Sequence, residues 1–149
     1  MNHTVSDDEQ KIRALITECY EMISGPAGPR DWSRQEAIFH SQARQMRTSL
    51  NADGKSQVKI MALDDYIENA GAALMEMDFY ELELACRVDV FGNMAQAWSL
   101  YEAKHHPDDQ TTERRGINSF QFFKDENERW WIMSMIWDNE REGLSLPAF

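Results

Sequence analysis

The chain is short of cysteine, of glycine motifs and of positive charge, and each shortage removes a class of protein. Its two cysteines, Cys19 and Cys86, sit inside apolar patterns with no C-x-x-C spacing. They read as free buried thiols of a reducing compartment, not as a disulfide framework. There is no Gly-rich phosphate loop, no G-x-S-x-G elbow and no H-E-x-x-H, so those nucleotide, hydrolase and zinc chemistries drop out. No apolar run approaches the ~20 residues needed to cross a bilayer. The first eight residues, Met1 to Asp8, carry neither a basic nor an apolar leader segment, so a cytoplasmic protein is expected. Fifteen basic side chains face 26 acidic ones, a net charge of −11. Such a chain repels phosphate backbones and anionic lipid, so neither nucleic acid nor membrane is an expected partner.

What is present is a surplus of large apolar groups. In 149 residues there are five Trp, seven Phe and nine Met. That exceeds the needs of a small core and points to an apolar pocket or a buried subunit interface. No repeat, low-complexity tract or linker breaks the chain. One domain over 1–149 is expected, with its core at about 7–140 and an arm at 140–149.

Ile12, Leu15, Ile16, Cys19, Tyr20 and Ile23 form one stripe at helical spacing. Ser6 and Glu9 have the spacing of a capping box, and Gly25-Pro26-Ala27-Gly28-Pro29 ends the helix. A second capping box, Ser33 to Glu36, predicts a short helix through Ile38 and Phe39. A third helix is predicted over about Asp64 to Met77. Strands are predicted at Ala43 to Leu50, Gln57 to Met61, and about 79–91, 94–104, 113–124 and 129–138, with Gly92-Asn93 as a two-residue hairpin loop. Helices followed by antiparallel strands make an α+β domain with the helices on one face of the sheet.

Pairing Phe91 with Met94 puts Leu82, Leu84, Cys86, Val88 and Val90 on the helix side, opposite Ala103, Tyr101, Ser99, Ala97 and Ala95. Glu81, Glu83, Arg87 and Asp89 then face outward, with Glu83 directly across from Glu102. Such a carboxylate pair is a general base if isolated and a solvated surface pair if Arg87 and Lys104 neutralise it. In the last hairpin, pairing Lys124 with Arg129 turns Trp131, Met133, Met135 and Trp137 toward a pocket. Trp98, Trp130, Ile132 and Ile136 then face a partner. A sheet apolar on both sides needs two covers, so a homodimer through the outer sheet face is expected.

Several residues have two readings. Tyr20 is a core tyrosine or a pocket donor. Asn118, amid Phe120 and Phe122, lines a pocket or bonds across strands. His40 is a general base if it turns inward and a helix-end histidine if it does not. Arg44 and Arg47 hold an anionic ligand or lie on the surface. They belong to a stretch, 30–61, with six basic and three acidic side chains, whereas 76–109 has two basic and eight acidic. His105-His106-Pro107-Asp108-Asp109 lacks the spacing of a preformed metal site, so neither a metal nor a cofactor is expected.

The segments Ala-Leu-Asp-Asp-Tyr-Ile (62–67), Val90-Phe91-Gly92-Asn93-Met94-Ala95, Arg115-Gly116-Ile117-Asn118-Ser119-Phe120 and Trp130-Trp131-Ile132-Met133-Ser134-Met135 carry a resemblance over roughly residues 9–140. In this order and at this length the chain resembles the nuclear transport factor 2-like (NTF2-like, cystatin-like) superfamily, which includes SnoaL-like cyclases and steroid isomerases. The resemblance implies a cone-shaped fold, three helices on a strongly curved, mostly antiparallel sheet, with an apolar pocket at the wide end and dimers through the outer face. Steroid isomerases use a carboxylate base and an oxyanion hole made by a Tyr and a protonated acid. By that resemblance Tyr20 takes the Tyr position, Asn118 the acid position, and Arg47, beside Met46, the base position. A guanidinium abstracts no proton at neutral pH, so the isomerase reaction itself is not expected. The expected function is binding of a small, largely apolar ligand by Tyr20, Tyr101, Asn118, Phe120, Met133, Met135, Trp137 and Arg47. The alternatives are a SnoaL-like, dehydratase or isomerase-type enzyme acting on a small cyclic or polyketide-like substrate, with His40 or an unplaced carboxylate as base and Tyr20 and Asn118 as further catalytic candidates, and a pure dimerisation or interaction module.

Overall fold

The computed structural model describes residues 5–149. Its elements run α1 (Asp7–Ile23), α2 (Ser33–Ile38), β1 (Phe39–Leu50), β2 (Ser56–Met61), α3 (Leu63–Leu74), β3 (Tyr80–Phe91), β4 (Met94–Lys104), β5 (Arg114–Lys124) and β6 (Trp130–Asn139). The six strands form one sheet in the order β2-β1-β6-β5-β4-β3, antiparallel except where β1 lies parallel to β6. Among the described residues no helix is long and apolar enough to cross a membrane.

α1 begins at its predicted cap, but only half of the predicted capping box forms. The Ser6 hydroxyl accepts from the Glu9 N–H at 3.1 Å, while the Glu9 carboxylate turns forward to Arg13 at 3.1 Å. The second predicted capping box does not form. Trp32 holds the cap position, and Ser33 donates its N–H and hydroxyl to Asp31 at 3.1 and 2.5 Å. Beyond α1 the Arg30 guanidinium reaches the carbonyls of Ile23, Gly25, Pro26 and Gly28 and so satisfies the chain as it turns. α1 packs mainly on β3, and α3 on β1. Ile12, Ile16, Phe39, Phe120 and Ile132 are among the fully enclosed side chains of the core between helices and sheet.

Two bulges rearrange the faces that simple alternation predicts. From Phe91–Met94 to Ala85–Leu100 the β3–β4 ladder has the expected register. Leu84 is then an extra residue, so Glu83 pairs with Tyr101 and Glu81 with Ala103. Leu82 and Leu84 therefore leave the helix side, and Glu81 and Glu83 move to it. No Glu83–Glu102 pair exists: Glu102 faces Leu82 and bonds Lys104 at 3.2 Å and Thr112 at 3.0 Å. In the last hairpin Lys124 pairs with Trp130, one residue off the expected register, and Met133 is the extra residue of a second bulge. Trp130 and Ile132 consequently lie in the core. Trp131 turns out, under Arg129 and bonded through its N–H to Asp125 at 2.8 Å. Both faces of β6 are apolar, so alternation gave no means of choosing between registers.

The C-terminal arm is not free. Arg141 and Leu144 bridge, the Leu146 N–H donates to Glu140 at 2.8 Å, and the Phe149 ring lies 5.4 Å from the Arg87 guanidinium. It crosses the outer sheet face near Trp98, Ile117 and Ile136.

Candidate functional site

A cavity of about 270 Å³ lies between α1, α3 and the inner face of the sheet. It holds the volume of about nine liquid waters, or a molecule of about ten non-hydrogen atoms. Ile23, Met61, Leu74, Met77, Phe79 and Met135 give it an apolar wall.

The polar groups arrive on alternate residues of five strands. Along one line of the ladder Arg47, Trp137, Asn118 and Ser99 are successive neighbours; along another, Arg114, Ala103 and Glu81. Ala103 is small and fully buried, so Glu81 and Arg114 flank it on the same face. A third line runs Glu83, Tyr101, Gly116 and Asn139. A Cβ at Gly116 would lie 2.5 Å from the Tyr101 hydroxyl and 2.5 Å from the Asp138 carbonyl. Only glycine lets the Tyr101 hydroxyl pass to the Asn139 side-chain oxygen, to which it donates.

Tyr20 anchors a hydrogen-bond chain with a fixed direction. The Asn118 amide donates to the Tyr20 hydroxyl at 2.9 Å, that hydroxyl lies 2.5 Å from the Ser99 Oγ, and Ser99 donates to the Glu83 carboxylate. Ser99 has one proton and gives it to Glu83, so Tyr20 must donate to Ser99. Its proton is thus committed inside the protein. Burial pushes the Tyr20 hydroxyl well above its ordinary pKa.

Glu81 is half-buried at the cavity wall, paired with Ala103, and its backbone N–H donates to the Ser24 hydroxyl. Burial pushes its carboxyl up to about 7, against the opposing pull of the Arg114 guanidinium and the Asn118 amide. It is the one carboxylate among the described lining residues. Tyr66, on α3, is wedged edge-on between Trp32 and Trp137; burial chiefly, then the nearby Glu81 charge, raises its hydroxyl pKa. Gln45, on β1, is 1% exposed, and its amide nitrogen has no partner among the described residues. Leaving such a donor unmet costs about 1–3 kcal/mol. Gln35 has the same deficit but does not line this cavity.

Of the residues expected at the pocket, Tyr20, Tyr101, Asn118, Met135, Trp137 and Arg47 line the cavity. Phe120 and Met133 do not. Phe120 is a core residue stacked on Phe122 at 5.7 Å, and Met133 is displaced by its bulge. His40 is on the opposite face, because the preceding Phe39 points into the core; it sits edge-on to Phe123 and Trp131, with its Nδ1 accepting from the Gln42 N–H at 3.1 Å. Arg44 folds onto the carbonyls of Gln42 and Ala43 outside the cavity. His105 and His106 make separate surface contacts with Glu113 and Asp108, and no group of three metal-capable side chains occurs among the described residues. Among the cavity residues missed are Glu81, Gln45, Tyr66 and Arg114. For Glu81 the one sequence signal was the run Glu-Leu-Glu-Leu at 81–84, whose alternation fits either face.

No family model and no curated protein matches the sequence. Solved structures do. A protein of unknown function with a cystatin-like fold from Nostoc punctiforme PCC 73102 is 12% identical with TM-score 0.70, over 93% of this chain and 96% of its own. An NTF2-like protein of unknown function from Pseudomonas putida KT2440 is 13% identical with TM-score 0.66, over 91% and 89%. The fold is NTF2-like. A LinA-type hexachlorocyclohexane dehydrochlorinase from Novosphingobium barchaimii LL02 is also similar, at 8% identity and TM-score 0.64 over 90% and 87%. At these identities the likeness speaks for the NTF2-like fold alone.

Proposed function

We propose that this chain binds a small, largely apolar molecule in the cavity between α1, α3 and the sheet, and that Glu81 moves a proton to or from it. The observation that carries this reading is a lone carboxylate in the wall of the cavity, on the same face as Arg114 and Asn118, with burial raising it to about 7. A base whose pKa lies near the working pH is present in both protonation states and can take a proton and return it. The reading favours the isomerase or lyase class over a passive binder. Tyr20, with its proton held by Ser99, keeps Asn118 in place; Tyr66 and Asn118 are the groups that would meet an oxygen of the ligand. Bulges in β1, β3 and β6 supply the bends that a cone around the cavity needs. The free thiols of Cys19 and Cys86 support a cytoplasmic setting.

We also read the outer sheet face as a homodimer surface, because Ile60, Phe91, Met94 and Trp98 remain exposed there even with the arm in place. This belongs beside the cavity reading: a chain with an open cavity is not an interaction module alone.

Native mass spectrometry of the purified protein tests the first reading. A small molecule retained on the chain is expected, and incubation in D2O should place deuterium in it with the wild type and not with Glu81→Gln. A chain that carries no adduct and binds none of a panel of ten-atom aromatic and alicyclic probes would end the reading.

A further inference from the structure

The net charge of this chain predicts an acidic cavity, and the cavity is the reverse. Its charged lining residues, among those described, are Arg47, Arg114 and Glu81. Twenty-six acidic side chains against 15 basic ones would put roughly two acids there for each base. The two guanidiniums are also poorly engaged. Arg47 has no carboxylate within 4.0 Å and no side-chain hydrogen bond among the described residues, although the chain pairs most of its other arginines. Directly across the β1–β2 ladder from it stands Lys59, a second cation. Like charges at paired positions destabilise a sheet, and an anion between them removes that cost. Arg114 has its nearest carboxylate, Glu113, at 3.9 Å and otherwise lies over the Phe79 ring at 5.4 Å. A guanidinium with free N–H groups is suited to a bidentate grip on a carboxylate or similar oxyanion.

The rest of the wall, from Ile23 and Met61 to Leu74, Met77, Phe79 and Met135, is apolar. Cations that have kept their N–H groups free beside such a wall set one ligand requirement: an apolar body bearing negative charge.

We infer that the molecule held in this cavity is a small organic anion, a carboxylate or equivalent oxyanion on an apolar skeleton, its charge balanced by the guanidiniums of Arg47 and Arg114. The inference rests on the cavity reading and narrows it to a chemical class. Such a ligand lies with its apolar body against Leu74, Met77 and Met135. It explains why a chain that repels anions in bulk keeps two cations on this one surface: the acidic exterior excludes polyanions, while a monoanion of about ten atoms reaches a locally positive mouth.

The test is a matched set of probes titrated calorimetrically at low ionic strength: trans-cinnamate, cinnamyl alcohol and cinnamylammonium, which share one skeleton. Cinnamate is expected to bind at least tenfold tighter than the alcohol, and the ammonium to bind weakest. Arg47→Gln and Arg114→Gln should each reduce the cinnamate-to-alcohol ratio several-fold, and the double variant should bring it close to one. Arg47→Lys should keep most of the preference. Arg44→Gln, outside the cavity, should leave the ratio unchanged. If the alcohol binds as well as cinnamate, or if Arg44→Gln lowers the ratio as much as Arg47→Gln does, the anion inference is overturned while the cavity reading stands. If none of the three probes binds, the cavity reading fails and takes the inference with it.

Discussion

At the scale of single residues, the proposed proton transfer rests on Glu81, whose environment carries a pH signature. An exposed glutamate titrates near ~4.3. In the folded chain burial moves Glu81 up to about 7. Between those values the native state holds a proton that the unfolded chain has released, so this residue makes stability fall as pH rises through the window. Below about pH 4.5 the term is absent, and above about pH 7 it is complete. Glu81→Gln removes it. Urea midpoints measured from pH 5.5 to 8 should therefore show the variant gaining on the wild type as pH rises, by about 1–2 kcal/mol at pH 8 once cavity water is allowed for. A difference that stays constant across the range would mean that Glu81 titrates as a surface carboxylate. Tyr20 shows the opposite strategy: its proton is locked into Ser99 and through it to Glu83, which makes it a strut for Asn118 instead of an acid.

At the scale of elements, helix starts and strand bulges behave differently toward the sequence. The start of α1 is local: Ser6 caps Glu9, and no distant residue is needed. The start of α2 is equally local but uses Asp31, two residues before Ser33, as its acceptor. Ser6→Ala and Asp31→Ala should each cost about 1 kcal/mol in chemical denaturation. Ser33→Ala should cost less than Asp31→Ala, because the backbone N–H of residue 33 keeps its acceptor. Bulges follow other rules. The extra residue at Leu84 gives up one place in the ladder so that Glu83 can reach Ser99 and Glu81 the cavity. The one at Met133 lets Trp130 and Ile132 enter the core. Neither Leu84 nor Met133 is a residue type that announces a bulge.

At the scale of the whole molecule, the question is what covers the outer sheet face. The arm covers part of it near Trp98 and Ile136. Ile60 and Phe91 remain 63% and 78% exposed, at opposite edges of the sheet. With Met94 and Trp98 on the same face, they form the surface through which we propose that two chains associate. Sedimentation equilibrium should give twice the 17.4 kDa of one chain, and Ile60→Glu combined with Phe91→Glu should return the single-chain mass with unchanged helix content. A monomeric wild type would assign the whole face to the arm and to solvent.

The sequence by itself determined the elements and their order. The stripe from Ile12 to Ile23, the Gly92-Asn93 turn and the polar breaks at 51–55 and 125–129 fix helices and strands through contacts within a few residues, and the NTF2-like fold follows from that order. The resemblance to the NTF2-like superfamily, and not periodicity, brought Tyr20, Asn118 and Arg47 to one pocket, and all three line the cavity. Only the tertiary structure decided which way the strands turn after a bulge. Alternation has a period of two, so one unpaired residue reverses every side chain beyond it, and the choice between two apolar faces is made by what packs on them. That is why the Glu-Leu-Glu-Leu run reads as outward carboxylates and inward leucines, whereas the bulge at Leu84 turns Glu81 to the inside, into the cavity wall between α1 and β4.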